Sequence, residues 1–345
     1  MESKNTQLVP FIGLSPMDGV TDAAFRQVVK EIGNPNIMFT EFTSAEGISK
    51  SAEKLMLDFL YDETQRPIIA QLFGYTPEAF RIATIVVCEL GFDGVDINMG
   101  CPAKSIAQKG GGASLITQPE LAKKIMRAVK QGILEWKEGI ELDALDLSPD
   151  IKIQISERHA KLPLEYQQRR LIPFSIKTRT GYDQHDTNAW ISTLLEEQPY
   201  AISLHGRTYK QMYGGEANWE EIAKASQLVK ETSTRIYGNG DIHSYQQAME
   251  RIQQYDLDGV LIGRAAMGNP WVFVDNDGPV TWEERKIAIF KHLEAHKHFY
   301  NATHFLSLRK HLGWYVKDIP HASEIRQQLY RTNTYQEVEN ILRAL

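Results

Sequence analysis

Eight short apolar runs, each followed by a stretch with helical spacing, alternate along most of this chain. The runs cover residues 11–17, 37–42, 67–74, 94–98, 174–180, 201–208, 235–239 and 259–264. They are rich in Val, Ile and Phe and continuous rather than alternating, the pattern of strands buried on both faces. The stretches between them carry helix signals. Thr76 and Pro77 open one that closes on Gly91, and similar stretches run from Gln118 to Val129 and from Asn218 to Val229. This pattern predicts an α/β fold. Eight strands spread over about 270 residues suit a closed (β/α)8 TIM barrel. A doubly wound sheet is the alternative, but it gathers its polar residues at one switch point. Here polar, reactive side chains stand at the C-terminal ends of nearly every run, which favours the barrel.

Two stretches break the rhythm. Residues 132–173 occupy about forty positions where a helix-to-strand loop needs only a few. Within them Ile151-Lys152-Ile153-Gln154-Ile155 alternates like an exposed strand, so a surface insertion with a hairpin is expected, leaving the bottom of the barrel away from its chemistry. After Asn269-Pro270-Trp271 the alternation stops. Residues 281–345 read as a small all-α domain with helices over 282–300, 302–315, 322–330 and 335–345. A turn-rich linker at 275–279 separates it from a catalytic barrel over 1–275.

Composition sets the remaining limits. A chain of 345 residues, 42% hydrophobic, buries a core without staples. Two cysteines, Cys88 and Cys101, exclude a disulfide-framed domain and a four-cysteine zinc site, and no metal is expected. No apolar run reaches the length of a membrane span, and Met1-Glu2-Ser3-Lys4-Asn5 lacks the layout of a signal peptide, so a cytoplasmic protein is expected. The net charge of −6 argues against a general nucleic-acid binder. The tail from residue 281 differs: ten lysines and arginines stand there against seven acids, with six of the ten histidines. A locally basic tail on an acidic body can still take an anionic partner.

The strand ends carry the chemistry. The first ends in Ser15-Pro16-Met17-Asp18-Gly19, whose small and turn-forming residues let a backbone approach a flat ligand. Gln71 is a primary amide in an apolar strand, able both to donate and to accept, or simply to satisfy buried backbone. The fourth strand ends in Asp96-Ile97-Asn98-Met99-Gly100-Cys101-Pro102. A thiol there is mostly protonated at neutral pH and can donate a proton. Cys88, in an apolar helix segment, reads as a small buried hydrophobe. Lys177 in a buried strand is costly unless paired or facing a ligand. His205 and Arg207 end the sixth strand, Asn239-Gly240-Asp241 the seventh and Gly263-Arg264 the eighth. Glycine-rich loops after the last two strands are where barrels commonly hold phosphate. Together these residues describe a phosphorylated planar cofactor across the barrel mouth, with Asn98 and Cys101 opposite it and Lys177 near the ring.

In this order the motifs resemble the tRNA-dihydrouridine synthases. The matching strings are Ser15-Pro16-Met17-Asp18-Gly19-Val20-Thr21-Asp22, Gln71-Leu72-Phe73-Gly74, Asp96-Ile97-Asn98-Met99-Gly100-Cys101-Pro102, Lys177-Thr178-Arg179-Thr180-Gly181, His205-Gly206-Arg207-Thr208, Gly238-Asn239-Gly240-Asp241-Ile242, Ile262-Gly263-Arg264-Ala265 and Arg309-Lys310-His311-Leu312-Gly313-Trp314-Tyr315. The resemblance implies FMN held by Pro16, Met17, Asp18, Gln71, Lys177, His205, Asn239, Gly240, Asp241, Gly263 and Arg264, with NADPH or NADH as electron donor. It implies Cys101 as proton donor and Asn98 as a uracil contact in the reduction of a tRNA uridine to dihydrouridine. Lys177 and Asn98 would steady the charge that develops on the base. Position and charge make Arg179, Arg207, Lys210, Arg309, Lys310 and Lys317 the expected phosphate contacts. Two features depart from the family: Asp18 stands where alanine is common, and the 132–173 insertion is atypical. The rival readings are an FMN barrel acting on a free pyrimidine, against which the basic tail argues, and a tRNA-binding helper with a vestigial barrel.

Overall fold

The computed structural model describes residues 11–275, 278–300 and 304–345, the side chains of residues 104 and 105 excepted. The eight apolar runs form eight parallel strands: β1 (Phe11–Leu14), β2 (Met38–Ser44), β3 (Ile68–Phe73), β4 (Gly94–Met99), β5 (Phe174–Arg179), β6 (Ala201–His205), β7 (Arg235–Asn239) and β8 (Gly259–Ile262). They pair in chain order, and β1 closes on β8 with Phe11 opposite Gly259 and Leu14 opposite Ile262. The barrel is the expected one. Around it run α1 (Ala23–Gly33), α2 (Ala45–Ser49), α3 (Pro77–Glu89), α4 (Lys104–Ala107), α5 (Pro119–Glu138), α6 (Pro149–His159), α7 (Leu164–Gln167), α8 (Thr187–Leu195), α9 (Trp219–Val229) and α10 (Tyr245–Gln254).

Register decides what the barrel holds inside. Side chains alternate across a strand, so every second residue points inward. Asp96 lies between Gln71 and Ser175, Asn98 beside Lys177, and Arg179, His205 and Asn239 follow one another at the next level. Below this polar layer an apolar plug of Phe39, Ile69, Ala201, Tyr237 and Leu261 closes the barrel, with Phe11 stacked on Tyr237 at 4.9 Å. The barrel is therefore open only where the polar strand ends are.

The insertion is helical, which corrects the strand expected at residues 151–155. These residues lie in α6, packed against α3. Both periods fit three isoleucines at alternate positions, and the cap decides between them. The Ser148 hydroxyl accepts from the Ile151 N–H and Pro149 sits in the first turn, a helix start. Ile151 and Ile155, one turn apart, are buried, whereas Ile153 is 56% exposed. Arg158 donates to the carbonyls of Met56 and Phe59, holding α6 on the outer wall. No residue of the insertion lines the cavity described below. A smaller correction concerns α3. Thr76 makes no side-chain cap there, and the Glu46 carboxylate instead accepts from the Tyr75 and Thr76 N–H groups at 2.8 Å each.

The tail folds as α11 (Trp282–Phe299), α12 (Phe305–Tyr315), α13 (Ala322–Arg331) and α14 (Tyr335–Arg343). Part of the linker at 275–279 and the expected start of α12 at Ala302 lie outside the described residues. A reciprocal capping box between Thr281 and Glu284 starts α11. The four helices share a core of their own, Leu293, Leu308, Leu312, Leu329 and Leu342 among it, which also takes in Val28 of α1. The tail thus docks on the barrel through α11 against α1.

Candidate active site

The strand ends and the loops after them enclose a cavity of about 630 Å³. Pro16, Met17, Asp18, Asn98, Cys101, Lys177, Arg179, His205, Asn239, Gly240, Asp241, Gly263 and Arg264 all line it. The structure thus brings together at one mouth nearly every catalytic and cofactor residue expected from the sequence. Gln71 is the exception: it is fully buried just beneath, behind Asn98.

Cys101 sits where Asn98 holds the loop after β4. The Asn98 Oδ1 accepts from the backbone N–H of Gly100 at 3.0 Å and of Cys101 at 2.8 Å, while its Nδ2 donates to Gln71 Oε1 at 3.0 Å. One N–H of Asn98 stays free to meet a ligand. Burial pushes the Cys101 thiol up from its ordinary pKa; the Ala103 backbone N–H opposes this, and the Asp18 carboxylate adds to it. The sulfur is therefore a neutral S–H at physiological pH. Cys88 is buried in the core, as expected, and its thiol too is pushed up.

Beside Asn98 and Cys101, on the adjacent strand β5 and onward to β7, stands a basic wall. Lys177 Nζ donates to Asn239 Oδ1 at 3.1 Å, and Asn239 Nδ2 donates to the Leu261 carbonyl at 2.8 Å. Although the side chain reaches the cavity, loss of water around the ammonium and repulsion by Arg179 bring its pKa down to about 8. His205 is held well below its ordinary pKa by burial and by Lys177, Arg179, Arg207 and Arg264 around it. Its Nε2 lies 3.2 Å from the Arg207 guanidinium, which can only donate, so the neutral ring carries its proton on Nδ1.

The loops after β7 and β8 complete the mouth. Asp241 accepts from Arg207 at 2.6 Å, from the Ala217 N–H at 2.8 Å and from Arg264 at 2.8 Å, and these partners keep its carboxyl low. It faces the cavity as the anchor of two guanidinium groups. Gly240 has φ +136°, and a Cβ there would lie 2.5 Å from the Cβ of Ala217. At Gly263 a Cβ would point at Met17 Sδ, 3.5 Å away, into space that the missing side chain leaves to the cavity. Close backbone, an anchored and half-exposed Arg264, and Lys177 deeper in form a donor set that fits a phosphate joined to a flat, electron-poor ring.

The expected phosphate contacts divide. Arg179 donates to the carbonyls of Gly100, Thr208 and Met212, and Arg207 to Gly214, Gly215 and Asp241. Both are buried, and these bonds tie the mouth loops together. Lys210 and Lys310 are exposed, and Lys310 Nζ lies beside Gly19 on the β1 loop, at the rim. Lys317 is half-buried, and Arg309 is half-buried with bonds to Thr332 and Asn333. Sequence reasoning missed Asp96, buried beneath Gln71, and the exposed pair Met212 and Tyr213 at the cavity's edge. The Met and Tyr follow Arg207 in an unbroken polar stretch and carry no periodic signal.

Comparison with known proteins adds the following. A family model described as Dihydrouridine synthase (Dus) matches residues 13–135 and 157–345. The unmatched gap falls inside the insertion. A probable tRNA-dihydrouridine synthase of Staphylococcus epidermidis is 32% identical over 340 residues, covering 96% of this chain and 93% of its own. A probable tRNA-dihydrouridine synthase 2 of Bacillus subtilis is 32% identical over 342 residues, covering 96% and 93%. Among solved structures, the old yellow enzyme homologue from Zymomonas mobilis aligns with a TM-score of 0.45 at 11% identity, over 80% of this chain and 94% of its own.

Proposed function

Because this chain belongs to the dihydrouridine synthase family, we propose that it adds two hydrogens across the C5–C6 double bond of uridine in tRNA, with FMN in the mouth cavity. It is an oxidoreductase of that family, acting on tRNA uridine. A free-pyrimidine substrate is not favoured, since the relatives that match nearly the whole chain are named for tRNA.

FMN would be held by Pro16, Met17 and Lys177 along the ring and by Gly240, Gly263 and Arg264 at the phosphate, with His205, Asn239 and Asp241 shaping that end. When bound, FMN would supply the hydride for C6, and NADPH or NADH would reduce it again. The remaining proton comes from the chain. Cys101 Sγ–H gives it to C5 and is left as thiolate, to be reprotonated from solvent. Negative charge on the uracil carbonyl is met by the free N–H of Asn98 and by the Lys177 ammonium, donors already in place. The base must leave its stack to enter. The exposed Lys210, with Lys310 at the rim and Arg309 and Lys317 elsewhere on the tail, takes phosphates around it, which makes the tail a tRNA-binding domain. The cytoplasm belongs to the same proposal.

The observation that carries this reading is the neutral Cys101 thiol at the lip of the cavity, opposite the glycine loops and Arg264. Replacing Cys101 with Ala is expected to leave the protein yellow and to slow dihydrouridine formation on unmodified transcript by roughly 10²–10⁴-fold, the usual effect of a general acid. A Cys101→Ala enzyme with full turnover would remove the proton-donor role.

A further inference from the structure

A carboxylate with no exposed surface sits directly under the site, and neither the cofactor nor the substrate chemistry calls on it. Asp96 Oδ1 accepts from Ser175 Oγ at 2.5 Å, and Oδ2 accepts from Gln71 Nε2 at 2.6 Å. Those partners come from the two strands flanking β4, in register with it. Gln71 Oε1 then faces Asn98 Nδ2, and Asn98 Oδ1 faces the N–H groups of Gly100 and Cys101.

We infer that Asp96 is a positioning residue that, through the Gln71 amide, locks Asn98 in one orientation and so seats the Cys101 loop over the cavity. The argument is one of donors and acceptors. An amide has two ends that exchange by a half-turn of its terminal torsion. Burial pushes the Asp96 carboxyl up to about 6 against the pull of its bonds to Ser175 and Gln71. At pH 7 and above it is therefore ionised and only accepts, and Gln71 must turn its NH2 toward Asp96 and its oxygen toward Asn98. A backbone N–H only donates, so Asn98 must turn its oxygen toward Gly100 and Cys101 and its NH2 toward Gln71. The bottom and the top of the chain demand the same setting of both amides, and flipping either one sets like against like. An apolar residue at position 96 would remove the lower demand and leave Gln71 held from the Asn98 side alone, free to turn its NH2 away. Asn98 would then be held less firmly, its two bonds to the Cys101 loop would weaken, and the sulfur would gain water.

This inference rests on the proposed reaction for its purpose, but its test does not require that reaction. The flavin-loaded protein is alkylated with iodoacetamide across a pH range, and labelling at Cys101 is read by peptide mass. The groups that set this profile are Asp18 on the β1 loop and Lys177 and Arg179 on β5. In Gln71→Met and Asp96→Leu the thiol is expected to titrate about one pKa unit lower than in the parent, so that labelling at pH 7.5 is about tenfold faster. In Asp96→Asn the amide oxygen still accepts from Gln71 while its NH2 turns to the Ser175 oxygen, so the parent profile is expected to return. On tRNA, the first two variants are expected to lose kcat with little change in KM. If Asp96→Leu does not fold, Gln71→Met carries the test. An unchanged labelling profile and kcat in a Gln71→Met protein that binds flavin overturns the inference. A shifted labelling profile with no tRNA turnover even in the parent overturns the proposed function and leaves the positioning role standing.

Discussion

At the scale of single residues, the site depends on two groups whose protonation is set by where they sit. Cys101 is held as S–H by burial first and also by the Asp18 carboxylate. That carboxylate favours an acid over a nucleophile, because a neighbouring negative charge disfavours the thiolate. Lys177 works in the other direction: loss of hydration and Arg179 bring its pKa to about 8, so it is charged below that value and neutral above it. If the ammonium steadies charge on the base, kcat is expected to fall as pH rises through about 8. In Lys177→Met the rate should be low throughout and lack this limb. A Lys177→Met enzyme that keeps the same limb would assign the titration to another group. The sequence makes both residues legible, because each is a reactive side chain at a strand end. It does not reveal Asp96, whose partners Gln71 and Ser175 lie 25 and 79 positions away in the chain. Nor does it reveal that Arg179 and Arg207 are spent on loop carbonyls, since a guanidinium at a strand end reads the same whether it faces solvent or backbone.

At the scale of elements, the eight strands were readable because burial on both faces demands unbroken apolar runs, and punctuation by Gly, Pro and polar caps marks their ends. The insertion was not, because Ile151, Ile153 and Ile155 satisfy a period of two as well as part of a helical turn. Only Ser148-Pro149 breaks the tie. The helix has an energetic consequence that a strand would not. Ile155 is fully buried and Ile153 largely exposed, although they are two residues apart. In urea unfolding, Ile155→Ala is expected to cost about 2–4 kcal/mol, the range for a buried large-to-small change, and Ile153→Ala to stay within about 0.5 kcal/mol. Equal losses at the two positions would contradict the helix.

At the scale of the whole molecule, barrel and tail meet over a buried imidazole pair. His292 and His311 lie ring to ring at 4.9 Å against Phe25 of α1, and neither nitrogen of His311 has a hydrogen-bond partner; Asp22 Oδ2 is 3.6 Å away. Burial, first of all causes, holds both rings well below their ordinary pKa, so they are neutral when folded. The unfolded chain binds protons on them below about pH 6.5, and this part of the stability is therefore present above that pH and lost as pH falls. The melting temperature of His311→Leu is accordingly expected to fall less than that of the parent between pH 7 and pH 5. A parallel fall would place the docking surface's pH response elsewhere. This packing fixes the tail beside the mouth, with Lys310 at the β1 loop, and on the proposed function a folded RNA would rest on both while one base enters. The most direct measurement of that central claim is the mass of an unmodified tRNA transcript after incubation with the yellow protein and NADPH. A gain of two hydrogens at a defined uridine, absent with Cys101→Ala, is the expected result. An unchanged transcript, with free uracil or dihydroorotate turned over instead, would contradict it.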